Sequence, residues 1–138
     1  MDIWHIESKV WPTIRVWRID NENFQVIEKG SVAPILTNPN YSLIDQKYAA
    51  LMKKLSTQVS FHSVKVFDFV LKTEYDNYIE LKVENSISPD NIHDKNSEGL
   101  KAWQFNGEIF VSGELKNEFL QLSPDDFTFN RGFQFFGA

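Results

Sequence analysis

The stretch FHSVKVFDFVLKTEYDNYIELKV, residues 61–83, predicts two strands joined by a turn at the centre of the sheet. Its first part, from Phe61 to Leu71, is rich in β-branched and aromatic residues. Near its end both odd- and even-numbered positions are apolar, which is typical of a central strand covered on both faces. Its last part, from Tyr78 to Val83, alternates, so its aliphatic residues are expected to face the core and Glu80 the solvent. The polar residues from Lys72 to Asn77 predict a hairpin turn between the two strands.

Three shorter strands are predicted nearer the N-terminus, at residues 3–6, 13–19 and 24–27, because aromatic, aliphatic and polar residues alternate there. Pro12 separates the first two, and the polar group at 20–23 resembles a hairpin connection between the second and third. A loop is expected to follow, through Gly30, Pro34 and Pro39.

The clearest helical pattern runs from about Leu43 to Leu55. Apolar residues recur there at the three- and four-residue spacing of one helical face, namely Ile44, Tyr48, Leu51, Met52 and Leu55. Ser42 is expected to cap the N-terminus of this helix, with Asp45 in the acidic position of its first turn.

The C-terminal half begins with a polar, acidic stretch from Glu84 to Gly99, which predicts an irregular surface connection. Such a length is commonly functional. The dipeptide Asn106-Gly107 is a strong turn signal and predicts a hairpin that joins strands at 101–105 and 108–111.

A second helix is expected to start at Ser112 as its N-cap, with Leu115, Phe119 and Leu122 facing inward and Pro124 closing it. A last strand is predicted at 133–136. Together with the hairpins, these elements predict one α+β domain over residues 1–138, with a mostly antiparallel sheet and about two helices.

Composition narrows the class of protein. The chain has 138 residues and is 42% hydrophobic, which suffices for one core, and its lack of cysteine excludes disulfides and thiolate chemistry. No signal peptide or membrane-spanning stretch is apparent, so a cytosolic location is expected and no membrane partner. A net charge of −5 disfavours nucleic acid as a partner and suits a basic protein instead.

No recognisable catalytic, nucleotide-binding or metal-binding motif is present. The histidines His5, His62 and His93 are far apart in sequence, and no pair has the spacing of metal ligands. We therefore predict no catalytic residue, no metal and no cofactor, and expect function to reside in protein contacts.

Candidate contact residues are acidic or aromatic. The connection at 84–99 carries several carboxylates, which would speed encounter with a basic partner. Another acidic pair lies between the two strands of the central hairpin. Tryptophan is favoured at interfaces, and the one that precedes Pro12 is the most exposed by expectation. The predicted partner-binding residues are Asp90, Asp94, Glu98, Glu74, Asp76 and Trp11.

The order of several apolar phrases resembles a bacterial polymorphic-toxin immunity family, the eleventh numbered one, once known only as a domain of unknown function. The resemblance extends from about residue 41 to the C-terminal end. The matching positions are Phe61, Val64 and Asp68, then Tyr78, Leu81 and Val83, then Phe110, Val111, Ser112 and Lys116, and finally Gly132 and Phe135. Ser63 stands where the family usually has proline, and Asn130-Arg131 replaces the threonine that normally precedes the glycine.

The resemblance implies a protein made beside a secreted or contact-delivered toxin, which binds that cognate toxin in the cytosol and neutralises it by covering its surface. It transfers no catalytic residue. Two alternatives stay open on the residues alone. One is a small hydrolase with a site around His62, His93 and the acids of the 84–99 connection, and the other is a metabolite-binding domain in which the aromatic residues line a cavity.

Overall fold

The hairpin predicted from residues 61–83 forms the centre of the structure. In the computed structural model, which describes residues 1–134, strands Val59–Asp68 and Thr73–Val83 pair antiparallel along their whole length. The turn is shorter than predicted, because the polar residues from Thr73 to Asn77 belong to the second strand. The apolar residues Phe69, Val70 and Leu71 form the exposed tip instead. The Asp68 carboxylate caps this tip by accepting hydrogen bonds from two of its backbone amides.

Ten strands and two α-helices make up the described residues. In chain order they are β1 (Ile3–Ser8), β2 (Arg15–Arg18), β3 (Asn23–Glu28), β4 (Ile35–Asn38), β5 (Tyr41–Asp45), α1 (Ala49–Lys53), β6 (Val59–Asp68), β7 (Thr73–Val83), β8 (Ala102–Phe105), β9 (Glu108–Ser112), α2 (Gly113–Leu122) and β10 (Phe127–Arg131). Single 3-10 turns lie at Gln46–Tyr48 and Ile92–Asp94.

The strands form two sheets. The larger has six strands in the order β2-β3-β6-β7-β5-β4, and the smaller has four in the order β10-β1-β9-β8. Between paired strands within these sheets only β3 and β6 run parallel. The prediction of a single α+β domain with a mostly antiparallel arrangement and two helices is therefore confirmed.

The six-stranded sheet curls until its two edges face each other. Tyr41 lies on β5 beside the β4 edge, and its hydroxyl donates a hydrogen bond of 3.3 Å to the Val16 carbonyl on the opposite edge strand, β2. The concave interior holds one core cluster, which includes Phe24, Leu43 and Tyr78. Burial raises the pKa of the Tyr78 phenol to about 12, and its hydroxyl donates to a backbone carbonyl within this core.

A second, larger core cluster lies between the two sheets and the helices. The rings of Tyr48, Phe119 and Phe127 pack there in tilted and edge-to-face contacts, with centroids 5.2–5.4 Å apart. A third cluster anchors the 84–99 connection to the four-stranded sheet. Ile87 and Ile92 of the connection are buried in this cluster together with residues of that sheet. This connection is irregular as predicted, apart from its 3-10 turn, but it is not loosely attached.

The predicted helix over 43–55 is confirmed only in its middle, where a 3-10 turn at Gln46–Tyr48 leads into the α-helix. Its first residues form β5, and only Ala49–Lys53 is α-helical. Leu43 packs in the concave core and Ile44 in the core between the sheets, so two adjacent apolar residues serve opposite faces of one strand. Ser42 caps no helix and instead donates to the Gly107 carbonyl. Asp45 caps the following 3-10 turn.

The remaining sequence-based predictions fare unevenly. The Asn106-Gly107 turn is confirmed, with φ of 51° and 81° as a two-residue hairpin turn requires. Ser112 caps α2 as predicted, but Leu122 is 57% exposed rather than inward. Strand β4 occupies the predicted loop at 30–39. Strand β10 lies before the predicted strand at 133–136, of which residues 133–134 form a turn and 135–136 lie outside the described residues.

No helix in residues 1–134 has the length and apolar character needed to cross a membrane.

Candidate functional site

An open groove of about 780 Å³ separates the two edge strands of the curled sheet. All four residues of β2 line one side and all four residues of β4 line the other, while Glu7, Ser8 and Glu108 contribute from the smaller sheet. We call this feature the edge groove. Its volume is in the range typical of ligand sites, although it is open along its length.

Two tryptophans border the edge groove. Trp11, in the connection between β1 and β2, is 74% exposed, and Trp17 on β2 is 62% exposed. The expectation that Trp11 is exposed is thus confirmed. Large exposed aromatic side chains next to a concavity are typical of protein contact surfaces, because each can bury a large apolar area at little cost in rotamer freedom.

A buried histidine joins two carboxylates on the wall of the edge groove. His5 is 3% exposed, and its Nε2 lies 2.9 Å from Oε2 of Glu108 while its Nδ1 lies 3.2 Å from Oε1 of Glu7. Thr37 on β4 donates a hydrogen bond of 2.7 Å to the other oxygen of Glu108. No lysine or arginine of the described chain pairs with either glutamate. This wall is therefore acidic.

One end of the edge groove is closed by a charged cluster. Both terminal nitrogens of Arg18 donate to the Glu80 carboxylate, which is 6% exposed, and one of them also donates at 3.3 Å to the Asn40 carbonyl across the groove. The hydrogen bond with Glu80 raises the pKa of Arg18, against the effect of burial. The prediction that Glu80 faces solvent is wrong, because this pairing lets its carboxylate point into the curled sheet.

The surface of β2, β3 and β6 that faces away from the concave interior also carries exposed apolar residues. Trp17, Gln25, Phe67 and Glu74 lie opposite one another across four neighbouring strands. The ring of Phe67 stacks on Phe69 with centroids 5.9 Å apart. We call the surface formed by Trp17, Ile27, Phe67 and Phe69 the outer aromatic face. Through Trp17 it is continuous with the edge groove.

The six predicted contact residues do not form one site. Trp11 borders the edge groove, and Glu74 lies beside the outer aromatic face, where its carboxylate is 3.7 Å from Nζ of Lys65. Glu98 adjoins Asp2 and Glu114 around a separate open hollow. The other three predicted residues are exposed acids at further positions, Asp76 on β7 and Asp90 and Asp94 in the 84–99 connection.

The histidines expected for the hydrolase alternative sit in different surroundings. His62 on β6 places its Nε2 2.6 Å from the Asn21 carbonyl and 3.4 Å from Oε1 of Glu80, whereas His93 is exposed in the 3-10 turn of the 84–99 connection. Across residues 1–134, no group of three His, Cys, Asp or Glu side chains is arranged to hold a metal ion.

Sequence reasoning missed Trp17, His5 and the two glutamates beside His5. One signal was available, since His5 and Glu7 are two residues apart in a strand and so share a face. Glu108 and Thr37 reach the same place only through the packing of the two sheets, which no local pattern indicates.

Comparison with known proteins adds no relative, as no protein-family model, no curated protein and no solved structure matches this chain.

Proposed function

We propose that this chain is a cytosolic immunity protein that binds a cognate bacterial toxin and neutralises it by covering its surface, with the edge groove and the outer aromatic face as the contact region. The observation that carries the proposal is the group of exposed aromatic residues on and near β2 and the β6–β7 hairpin, with Trp11 and Trp17 at the groove and Phe69 at the hairpin tip. The order of apolar phrases that resembles an immunity family supports the same reading.

Such a surface would inhibit the toxin by covering part of the toxin's own surface. A few aromatic anchors carry most of the binding free energy of a protein interface, whereas the surrounding polar residues mainly exclude water. Trp11, Trp17 and Phe69 are each more than half exposed, so they are available for burial by a partner. The acidic wall of the edge groove and the net charge of −5 favour a basic toxin surface.

The test is co-expression with the toxin encoded beside this chain. We expect the chain to relieve growth arrest and to form a complex on gel filtration. Replacing both groove tryptophans, Trp11→Ser with Trp17→Ser, is expected to weaken that complex by about a hundredfold, because interface tryptophans commonly contribute about 2 kcal/mol or more each and the two effects need not add.

A matched control is Leu122→Ser, since Leu122 is 57% exposed at the end of α2 and lies outside both named surfaces. Binding unaffected by this control but lost in the double variant supports the proposed surface. Growth arrest that the wild-type chain does not relieve, together with no complex, would refute the immunity function itself.

A metabolite-binding domain is the second candidate, favoured by the volume of the edge groove and by the polar groups of Glu7, Glu108 and Thr37 along it. A ligand that binds only the folded state raises the temperature of unfolding. A thermal-shift screen against metabolites therefore tests this function, and the absence of any stabilising compound would count against it.

A further inference from the structure

The edge groove lies between the two edge strands of one curled sheet. Strands β2 and β4 are the two edges of the same sheet, and the pairings between them make these edges run in the same direction. One extended segment placed between them can therefore run antiparallel to both at once. The main chain is not free along the whole of either edge, because the Ser8 hydroxyl is hydrogen-bonded to both the carbonyl and the amide of Ile35 on β4, and the Tyr41 hydroxyl donates to the Val16 carbonyl on β2. A segment would therefore pair with the remaining main-chain groups of these four-residue edges.

The open end of the groove is the acidic end. Arg18, at the C-terminal end of β2, donates to Asn40 beyond the end of β4, and Tyr41 reaches Val16, the second residue of β2. Glu7, Ser8 and Trp11 lie around the remainder of the groove. The cations on β2 are already neutralised, because Arg18 pairs with Glu80 and Arg15 lies 3.5 Å from Glu28.

The two wall carboxylates have only His5 as a charged-group partner among residues 1–134. The groove therefore carries an excess of negative charge at the position where a segment would enter, and its complement is a basic side chain.

We propose, on the basis of the immunity function proposed above, that the groove receives an extended, positively charged segment of the toxin as an added strand, with a lysine or arginine of that segment against Glu7 and Glu108. Addition of a strand to a sheet edge derives its affinity from main-chain hydrogen bonds and its specificity from side-chain sites. Here the main-chain groups that Ser8 and Tyr41 leave unbonded provide the pairing, the two glutamates select the charge, and Trp11 and Trp17 cover the apolar side chains of the segment.

The experiment uses a short synthetic peptide of alternating threonine and lysine as the probe, titrated into the full chain and followed by calorimetry and by amide NMR shifts. A peptide of alternating threonine and glutamate is the charge control. A third peptide has the lysine sequence with alternate backbone nitrogens methylated, so that its charge is kept while strand pairing is blocked. We expect the lysine peptide to bind with shifts confined to β2, β4 and their flanks, and both other peptides to bind at least about tenfold more weakly.

Two charge-matched variants locate the site. Glu7→Gln with Glu108→Gln is expected to weaken binding of the lysine peptide by about tenfold, since two charge-assisted contacts are lost. Glu98→Gln with Glu114→Gln changes the net charge equally at the other hollow and is expected to leave binding unchanged. Should the first double variant fail to fold, the methylated peptide still decides the question on the wild-type chain.

Several outcomes would overturn the inference: no binding of the lysine peptide, equal binding of the glutamate or methylated peptide, or equal weakening in both double variants. These results are distinct from failure of the immunity function. If the chain relieves toxin arrest and forms a complex while the peptide results are negative, the immunity function stands and the toxin is bound in another way.

Discussion

The pair formed by Arg18 and Glu80 predicts an unequal response to removal of its two members. The side chain of Glu80 is 6% exposed and that of Arg18 is 32% exposed. If Arg18 is replaced by methionine, a buried carboxylate loses its main partner and keeps only His62 at 3.4 Å. If Glu80 is replaced by glutamine, the Arg18 guanidinium can still donate to the amide oxygen of the new side chain. Water can also reach Arg18, because about a third of its side chain is exposed. Arg18→Met is therefore expected to be the more destabilising change.

The magnitudes follow from the burial of each group. Breaking a buried ion pair by removing one partner costs about 3–5 kcal/mol, and we expect about 3 kcal/mol for Arg18→Met because His62 remains nearby. Glu80→Gln is expected to cost about 1 kcal/mol, the value of a typical net hydrogen bond. Replacing both residues with methionine removes both charges together, so we expect about 1 kcal/mol for the double variant rather than a sum.

Urea unfolding monitored by far-UV circular dichroism measures these differences. For a chain of this size, 3 kcal/mol corresponds to a shift of the midpoint by roughly 1–2 M urea, which is easily resolved. The expected difference is contradicted if Glu80→Gln costs as much as Arg18→Met, or if the double variant costs more than Arg18→Met alone. Either result would mean that solvent exposure does not determine how much stability is lost when one member of this pair is left without the other.

Three further predictions concern stability. Burial tends to raise the pKa of Asp126, but hydrogen bonds from Lys47 and Tyr48 outweigh it and lower that pKa below its ordinary value of 3.8. A carboxyl with a depressed pKa contributes stability that is present above 3.8 and is lost as the pH falls through its folded value. Asp126→Asn should therefore lower the free energy of unfolding by about 1 kcal/mol at neutral pH. It should also reduce the loss of that free energy between about pH 5 and pH 2, and an unchanged loss contradicts this prediction. Gly107→Ala should cost at least about 3 kcal/mol in urea unfolding, because φ is 81° and the new Cβ would lie 1.8 Å from the Asn38 carbonyl oxygen. Gly99→Ala, with φ of 79° and no atom within 4 Å of its Cβ, should cost only about 1 kcal/mol, and equal costs would show that backbone conformation rather than close approach decides. Trp17→Ser should change the free energy of unfolding by less than about 0.5 kcal/mol, and a larger loss would mark Trp17 as a packing residue rather than a contact residue.

Local sequence chemistry predicted the elements that depend on local interactions. The Asn106-Gly107 turn and the capped helix that begins after Ser112 follow from backbone preferences and side-chain caps, which act within a few residues. The β6–β7 hairpin followed from its composition. The prediction at 43–55 failed in its first part because Ile44, although it lies on β5, packs in the same core as Tyr48, Leu51, Met52 and Leu55 and so extends their helical spacing into the strand. Pairing with β4 and β7 overrides the helical pattern there.

The candidate site was less accessible to prediction than the fold. Trp11 was expected to be exposed because it precedes Pro12 between strands, and this is a local argument. The edge groove itself arises from the curling of a whole sheet, which brings β2 beside β4 although they are not paired. Glu80 shows the same limit, because alternation places it correctly in a strand but cannot reveal that Arg18, on the edge strand β2, reaches it on the inner strand β7.

The two strands that border the groove have features that limit edge-to-edge strand pairing, and these features restrict which segments can bind in the groove. Strands β2 and β4 are only four residues long, β4 lies between Pro34 and Pro39, and the pairing of β2 is irregular between Arg15 and Val16. Short strands, prolines, edge charges and bulges are the usual means of preventing indiscriminate edge pairing. A second copy of this chain would bring its own acidic groove wall and exposed carboxylates to the site, so its charge opposes entry. A basic extended segment meets the same short edges but is attracted by Glu7 and Glu108, so the edge groove is selective for charge as well as for conformation.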